Sequence, residues 1–110
     1  MPARDQVVLR DIRHGGDSRW LSASLTYDGD LLIEGCDRGA AVEGLFGSRE
    51  YEWSWTIQSA HLARLGEALG CGDDVLKGLQ ASFSGDAAAG LKAFLDSHAI
   101  AHEVWSRTGD

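Results

Sequence analysis

Residues 51–58 constrain the fold more than any other part of the sequence. Large apolar residues alternate there with polar ones, and the apolar set is Tyr51, Trp53, Trp55 and Ile57. Alternation with a period of two is typical of a strand with one buried face. From Ser59 onward the apolar period becomes helical, with leucines at positions 62, 65 and 69. The sequence therefore predicts a half-buried strand that leads directly into an amphipathic helix.

The first forty residues read as strands joined by tight turns. Residues 6–13 predict a first strand that ends at a glycine-containing turn, residues 14–17. Residues 20–27 and 30–36 predict a hairpin, and Asp28-Gly29 between them is a dipeptide favoured in type I′ turns, which need positive φ at both central positions. In the first arm of this hairpin, alternation predicts that the core-facing residues are Leu21, Ala23, Leu25 and Tyr27.

Helical patterns fill most of the second half. Ser59 is the predicted N-cap of a first helix that ends near Gly70, and Asp73 or Asp74 is the predicted N-cap of a second. The second helix has an apolar face of Val75, Leu76, Leu79 and Phe83. After a break at residues 84–86, a third helix has a stripe of Leu91, Phe94, Leu95 and His98. Residues 100–107 predict a last strand.

This order predicts one α+β domain spanning residues 1–110. We expect a mainly antiparallel sheet of about five strands with three helices packed on one face, in the order β-β-β-β-α-α-α-β. A single buried layer between sheet and helices should contain Trp53, Trp55, Leu62, Leu65, Leu91, Phe94 and Leu95.

Charge limits the classes of partner. Seventeen acidic and ten basic residues give a formal net charge of −7. Binding of nucleic acid or of an anionic membrane needs a basic surface, so we expect neither, whereas a basic protein is a possible partner. The hydropathy pattern shows neither an apolar leader nor a membrane-spanning stretch, which predicts a cytoplasmic protein. We expect a monomer or a small homo-oligomer.

Catalytic and metal-binding motifs are weak. The histidines are His14, His61, His98 and His102, and only the last two have helical metal-pair spacing, at a point where the helix is expected to end. Cys36 and Cys71 are predicted to be free thiols. The Gly-Cys-Gly stretch at residues 70–72 lacks the remainder of a phosphate-binding loop, and no nucleophile elbow surrounds any serine. We assign no catalytic residue, metal ligand or cofactor.

A glycine-containing acidic connection is the best candidate site. Residues 37–50 form a long predicted connection, and long loops in compact domains often bind ligands or partners. It includes Asp37, Glu43 and Glu50, with Glu52 beside it in the next strand. These four carboxylates are predicted to dock arginines and lysines of a partner. Two alternatives remain: a cation site, although calcium-loop spacing is missing, and ordinary solvated charge. A single helical turn anchored by Phe46 is the predicted structure of the connection.

Residues 37–53 follow the pattern D-x-G-x-x-V-E-x-x-x-G-x-x-E-Y-E-aromatic. This stretch resembles one in a family of small bacterial single-domain proteins of uncharacterised function, and residues 103–110 are similar to their C-terminal strand. The resemblance implies a bacterial origin and a stand-alone domain. It implies no catalytic residue.

Two functions follow as hypotheses. The first is a small interaction or inhibitor-type protein, similar in role to an immunity protein, that binds a basic partner through the acidic connection. The second is a small enzyme or ligand-binding domain that uses a histidine or Cys36 in a pocket between sheet and helices.

Overall fold

The computed structural model describes residues 3–40, 43–44, 47 and 49–109. Its sheet is antiparallel, and its strands are adjacent in the order in which they occur in the sequence. The strands are β1 (Ala3–His14), β2 (Asp17–Thr26), β3 (Leu31–Arg38), β4 (Glu50–Ile57) and β5 (Glu103–Gly109). The helices are α1 (Leu62–Leu69), α2 (Val75–Ser82) and α3 (Leu91–Ser97), with 3₁₀ segments at Ser59–His61 and Gly85–Gly90. The predicted α+β fold and its element order are confirmed.

The turn between β2 and β3 differs from the predicted type I′ turn. Gly29 has a φ of +87°, but Asp28 does not have positive φ. Thr26 donates its N–H to the Asp30 carbonyl over 2.9 Å, and Gly29 donates to the Thr26 carbonyl over 3.0 Å. The connection is therefore a three-residue turn that needs a left-handed residue only at its glycine. Tyr27 belongs to this turn and is 67% exposed, so its predicted core position is wrong.

The start of α1 also differs from the prediction. Ser59 lies inside the 3₁₀ segment, and its backbone N–H donates over 2.9 Å to Oδ1 of Asp30. A carboxylate from the hairpin turn thus accepts the N–H of Ser59 itself, and Ser59 is not the N-cap of this segment. The other end agrees with the sequence, because Gly70 ends α1 with a left-handed φ of +70°. Asp74 rather than Asp73 caps α2 and accepts the N–H of Lys77 over 3.3 Å.

The core lies between the helices and one side of the sheet, here called the helix side. Leu65, Leu91 and Leu95 are fully buried, as predicted. The other predicted core residues are half-buried and pack against this cluster, namely Trp53, Trp55, Leu62 and Phe94. The sheet contributes further fully buried side chains, among them Ile33 and Ile57. A single buried layer holds the domain together, mainly by removing aliphatic surface from water.

The opposite side of the sheet, here called the open face, carries none of the three helices. Strand register assigns to it alternate residues of each strand, including Val8, Trp20, Ser22, Ser24, Glu34, Cys36, Glu50, Glu52, Ser54, Trp105 and Arg107. Ser22 and Ser24 are each only 2% exposed, because short side chains lie below larger neighbours. Trp20 and Trp105 remain 36% and 52% exposed. On the open face, exposed tryptophan side chains therefore project beyond buried serine side chains.

A β-bulge interrupts the pairing of β1 with β2. Val8 pairs with Ser22 and Arg10 pairs with Leu21, so that β1 has one extra residue at this point. A bulge of this kind can direct two successive side chains to the same side of a sheet. Leu9 and Arg10 are both buried, at 2% and 9% exposure. Leu9 joins the core, and Arg10 lies beside it on the helix side.

The connection between β3 and β4 is shorter than predicted, since Asp37 and Glu50 are strand residues. Gly39 donates its N–H to the Arg49 carbonyl over 2.8 Å and closes the base of the connection. Ala40, Glu43 and Gly44 have helical backbone, and Glu43 donates to the Gly39 carbonyl over 3.1 Å. These contacts agree with a helical turn, whereas the predicted anchor Phe46 lies outside the described residues.

The start of the last strand differs from the prediction. Ile100 precedes the last strand, which begins at Glu103, and is buried in the connection from α3. No described helix has both the length and the apolar character needed to cross a membrane.

Candidate functional site

The four predicted partner-binding carboxylates do not form one surface. Glu50 and Glu52 lie on the open face, as the alternation predicts, and Glu43 lies in the connection beyond β3. Asp37 pairs with Tyr51 in the register and therefore points to the helix side. The sheet thus separates Asp37 from Glu50 and Glu52.

Each of these carboxylates has an arginine near it. The shortest nitrogen–oxygen distances are 3.1 Å for Arg107–Glu52, 3.2 Å for Arg38–Glu50, 3.8 Å for Arg49–Glu43 and 3.9 Å for Arg10–Asp37. The four formal negative charges are therefore locally balanced. A strongly negative docking loop is not what the structure shows.

Cys36 lies beside Glu50 and Glu52 on the open face. One ligand-type atom from each residue falls within 4.8 Å of the others. Burial raises the pKa of the Cys36 thiol, against a lowering effect of Arg38. Hydrogen bonding with Glu50, followed by that with Arg107, lowers the pKa of Glu52. A raised pKa disfavours the thiolate, which is the nucleophilic form of Cys36.

Two of the four histidines lie at separate exposed positions, and the other two line one small cavity. His14 is exposed at the first turn, and His98 is exposed at the end of α3 against the Phe94 ring. His102 is buried: its Nδ1 lies 2.8 Å from the Ile100 carbonyl and its Nε2 lies 2.9 Å from Lys92 Nζ. His61 and His102 line a small cavity of about 140 Å³. These contacts give His102 a structural role in joining α3 to the start of β5.

A groove of about 370 Å³ crosses the open face. Trp20 and Trp105 line it together with Ser22, Glu34 and Ser54, and Cys36, Arg38 and Glu52 line its other side. Glu34 lies between Ser22 and Ser54 in the register, at the middle strand of the sheet. Its carboxylate forms no ion pair with any described residue. A larger cavity of about 540 Å³ continues beyond Trp20 to the β1–β2 turn.

A second pocket, of about 310 Å³, lies on the helix side. We call it the arginine pocket because Arg10 and Arg19 line it, together with Asp37, Tyr51, Trp53, Trp55, Lys92 and three smaller residues. Burial raises the pKa of Asp37. The charge of Arg10 and, to a smaller extent, that of Arg19 lower this pKa. Nε of Arg10, Oδ1 of Asp37 and Nε1 of Trp53 are buried without a hydrogen-bond partner among the described residues.

The ring of Trp53 forms the wall of this pocket because the neighbouring residue on β3 is glycine. A Cβ atom at position 35 would overlap the six-membered part of the indole. With Gly35 there, Trp53 lies flat on the sheet and stacks against Tyr51, at a centroid distance of 5.5 Å and an angle of 24°. Cys36, on the opposite face, does not line this pocket, contrary to the sheet–helix site suggested by the sequence.

Sequence reasoning missed Glu34 and Arg10. Glu34 was recognisable, because Leu31 and Ile33 predict a buried face and the residue between Ile33 and Gly35 must then point the other way. Arg10 was not recognisable, because regular alternation from Val7 and Leu9 directs it away from the helices.

No protein-family model, curated protein or solved structure matches this chain. The resemblance to a family of small bacterial proteins stays a prediction.

Proposed function

We propose that this chain is a small binding protein that accepts a basic segment of a partner protein in the groove on its open face. The observation that carries the proposal is the position of Glu34, a carboxylate that no described residue pairs with, in a groove lined by Trp20 and Trp105. An acidic chain of net charge −7 favours the approach of such a partner.

The groove has the chemistry that a lysine or arginine side chain requires. Glu34 supplies a countercharge, and the two half-exposed indoles offer faces for a cation–π contact. The serines beside Glu34 have short side chains and hydroxyl groups that can accept hydrogen bonds. Of the carboxylates predicted from the sequence, Glu52 lines the same groove and Glu50 lies next to it, whereas Asp37 does not belong to this surface.

The role that fits this surface best is that of an inhibitor-type protein. A protein that covers a basic surface of its partner inhibits the partner if this surface binds the partner's own anionic ligand. Enzymatic activity is less well supported, because burial raises the pKa of Cys36 in the groove, and His102, which contacts the Ile100 carbonyl and Lys92, lines a different cavity.

The test uses a synthetic octapeptide of alternating lysine and serine, titrated into the labelled protein and followed by NMR. Signals of the open face should shift, and the same peptide with glutamate in place of lysine should not bind. Glu34→Gln should weaken binding by about threefold or more, since one ion pair and its cation–π setting are worth roughly a kcal/mol. Binding should also weaken with added salt.

Glu67→Gln is the matched control, because Glu67 is also exposed but lies on α1, away from the open face. Equal effects of the two substitutions would mean that only net charge matters, and the proposal would then be wrong. Equal binding of the two peptides would contradict it as well.

A further inference from the structure

We propose that the arginine pocket binds a small organic anion with a flat aromatic ring, its acid group on Arg10 and Arg19 and its ring against the indoles of Trp53 and Trp55. This site goes beyond the proposed function: it lies on the other side of the sheet, and Trp53 is the one lining residue that it shares with the groove.

Arg10 reaches the pocket because of the bulge in β1. The register changes between Val8 and Arg10, so Leu9 and Arg10 both lie opposite Leu21. Burial of an arginine is costly unless its charge and its donors are matched. A bulge that gives up a regular pairing and buries a guanidinium is therefore expected to serve a site rather than stability.

The guanidinium of Arg10 is incompletely satisfied by the described residues. It is 9% exposed, and its closest carboxylate oxygen, Oδ1 of Asp37, lies 3.9 Å from a terminal nitrogen, beyond hydrogen-bond distance. Its Nε, like Nε1 of Trp53, has no hydrogen-bond partner within the described part of the chain. Both atoms are donors, whereas a single buried acceptor, Oδ1 of Asp37, is likewise unpaired among the described residues. Buried donors without acceptors are rare in folded proteins. An acid group in the pocket provides the missing acceptors.

The charge around the pocket agrees with an anionic ligand. Arg10 and Arg19 oppose one carboxylate, Asp37, and both act electrostatically on it. Lys92 also lines the pocket, although its Nζ pairs with Asp96 at 3.2 Å. A local excess of positive charge in a chain of net charge −7 concentrates anions at this position.

Aromatic side chains and volume define the rest of the ligand. Trp53 lies flat over Gly35, and the Tyr51 and Trp53 rings are stacked, so the wall is planar. Planar walls favour planar ligands through ring stacking. The volume of about 310 Å³ is at the lower end of typical ligand pockets and suits one or two rings rather than a dinucleotide.

The test is calorimetric titration with phenyl phosphate, phenylacetate and benzenesulfonate, which carry different acid groups on the same ring. Two controls separate the two features of these ligands. Benzyl alcohol has the ring without the charge, and inorganic phosphate has the charge without the ring. At least one aromatic acid should bind about tenfold or more tightly than either control, since both parts of the pocket are then used. The preferred acid identifies the ligand class, and the indole N–H signals of Trp53 and Trp55 should shift in the NMR spectrum.

Two variants locate the binding. Arg10→Met should weaken it by about 10- to 100-fold, as expected for lost hydrogen bonds to a charged group. Arg13→Met is the matched control, because Arg13 is on the same strand but 79% exposed on the open face. Ala89→Trp fills the pocket from an exposed position of the 3₁₀ segment and should abolish binding even if the Arg10 variant folds poorly.

Equal affinity of the Arg10 and Arg13 variants would overturn the inference, as would equal binding of benzyl alcohol and the acids. Binding that survives Ala89→Trp would do the same. Glu34→Gln should leave aromatic-acid binding unchanged, so this site and the groove can fail independently.

Discussion

The surroundings of Asp37 shift its pKa in opposite directions. Burial raises its pKa, Arg10 and Arg19 lower it, and the balance leaves the pKa above the ordinary value of 3.8. Its carboxylate faces the arginine pocket, where it repels the anion that the arginines attract. The protonation state of Asp37 should therefore modulate the pocket.

We predict that benzenesulfonate binds more tightly as the pH falls from 7 towards the raised pKa of Asp37. Protonation removes the negative charge, while a sulfonate keeps its own charge. Asp37→Asn should bind about three- to tenfold more tightly than wild type at pH 7, as expected for removal of one nearby charge, and its affinity should depend little on pH. Isothermal titration at several pH values measures both effects.

Other charged groups near the pocket are Arg10, Arg19 and Lys92, and Lys92 in turn contacts His102. His102→Asn therefore separates any contribution of the histidine. Asp11→Asn is the control for a generic loss of charge on β1. A pH dependence that persists unchanged in Asp37→Asn would show that another group is responsible.

Cys36 allows a second prediction at this scale. Its pKa is raised above 9.0 by burial, so less thiolate is present near neutrality than for an ordinary thiol. In a Cys71→Ser background, iodoacetamide should modify Cys36 several-fold more slowly than it modifies glutathione at pH 7.5, as followed by mass spectrometry.

Both cysteines are free in the structure, so denatured wild-type protein without reductant should titrate two thiols per chain. Reaction of Cys36 at or above the rate of glutathione would indicate an activated thiol and would favour the enzyme hypothesis.

Individual elements show where local sequence rules hold and where remote contacts replace them. Gly70 ends α1 and Asp74 caps α2 as predicted, because both effects depend on the residue's own backbone or on a side chain three residues away. The start of α1 was mispredicted because the acceptor for the Ser59 N–H is Asp30, which belongs to the β2–β3 turn. No local pattern contains that contact.

The Asp30 contact predicts an asymmetry between two alanine substitutions. Asp30→Ala should lower the free energy of unfolding by about 0.5–2 kcal/mol, the usual cost of a lost cap. Ser59→Ala should change it by less than about 0.5 kcal/mol, because the backbone N–H that Asp30 accepts is retained. Urea denaturation of both variants measures the difference, and a larger cost for Ser59→Ala would show that the serine is the cap after all.

At the scale of the whole molecule, the fold was predictable and the sites were not. Each strand pairs with the next strand in the sequence, and each helix buries an apolar stripe that the sequence displays. The groove and the arginine pocket depend instead on which side chains meet across strands. The role of Glu34 follows from the register of β3, and that of Arg10 from a bulge, and neither is visible in composition or period.

The two sides of the sheet should respond differently to truncation. Leu65→Ala removes a fully buried side chain and should cost about 2–5 kcal/mol of stability. Trp105→Ala removes a larger but half-exposed side chain on the open face and should cost less than about 1 kcal/mol. Thermal and urea denaturation provide the comparison, and a cost for Trp105→Ala equal to that for Leu65→Ala would mean that a second layer covers the open face.

The bulge in β1 has a consequence for how this domain can diversify. Without the extra residue, strict alternation from Val7 and Leu9 would direct Asp11 to the helices and Arg10 to the opposite side. Asp11 and Asp37 would then oppose Arg19 and Lys92, and the excess of positive charge in the cavity would disappear. A change of pairing in this edge strand, with no substitution at all, would thus be enough to abolish the preference of the cavity for anions during evolution.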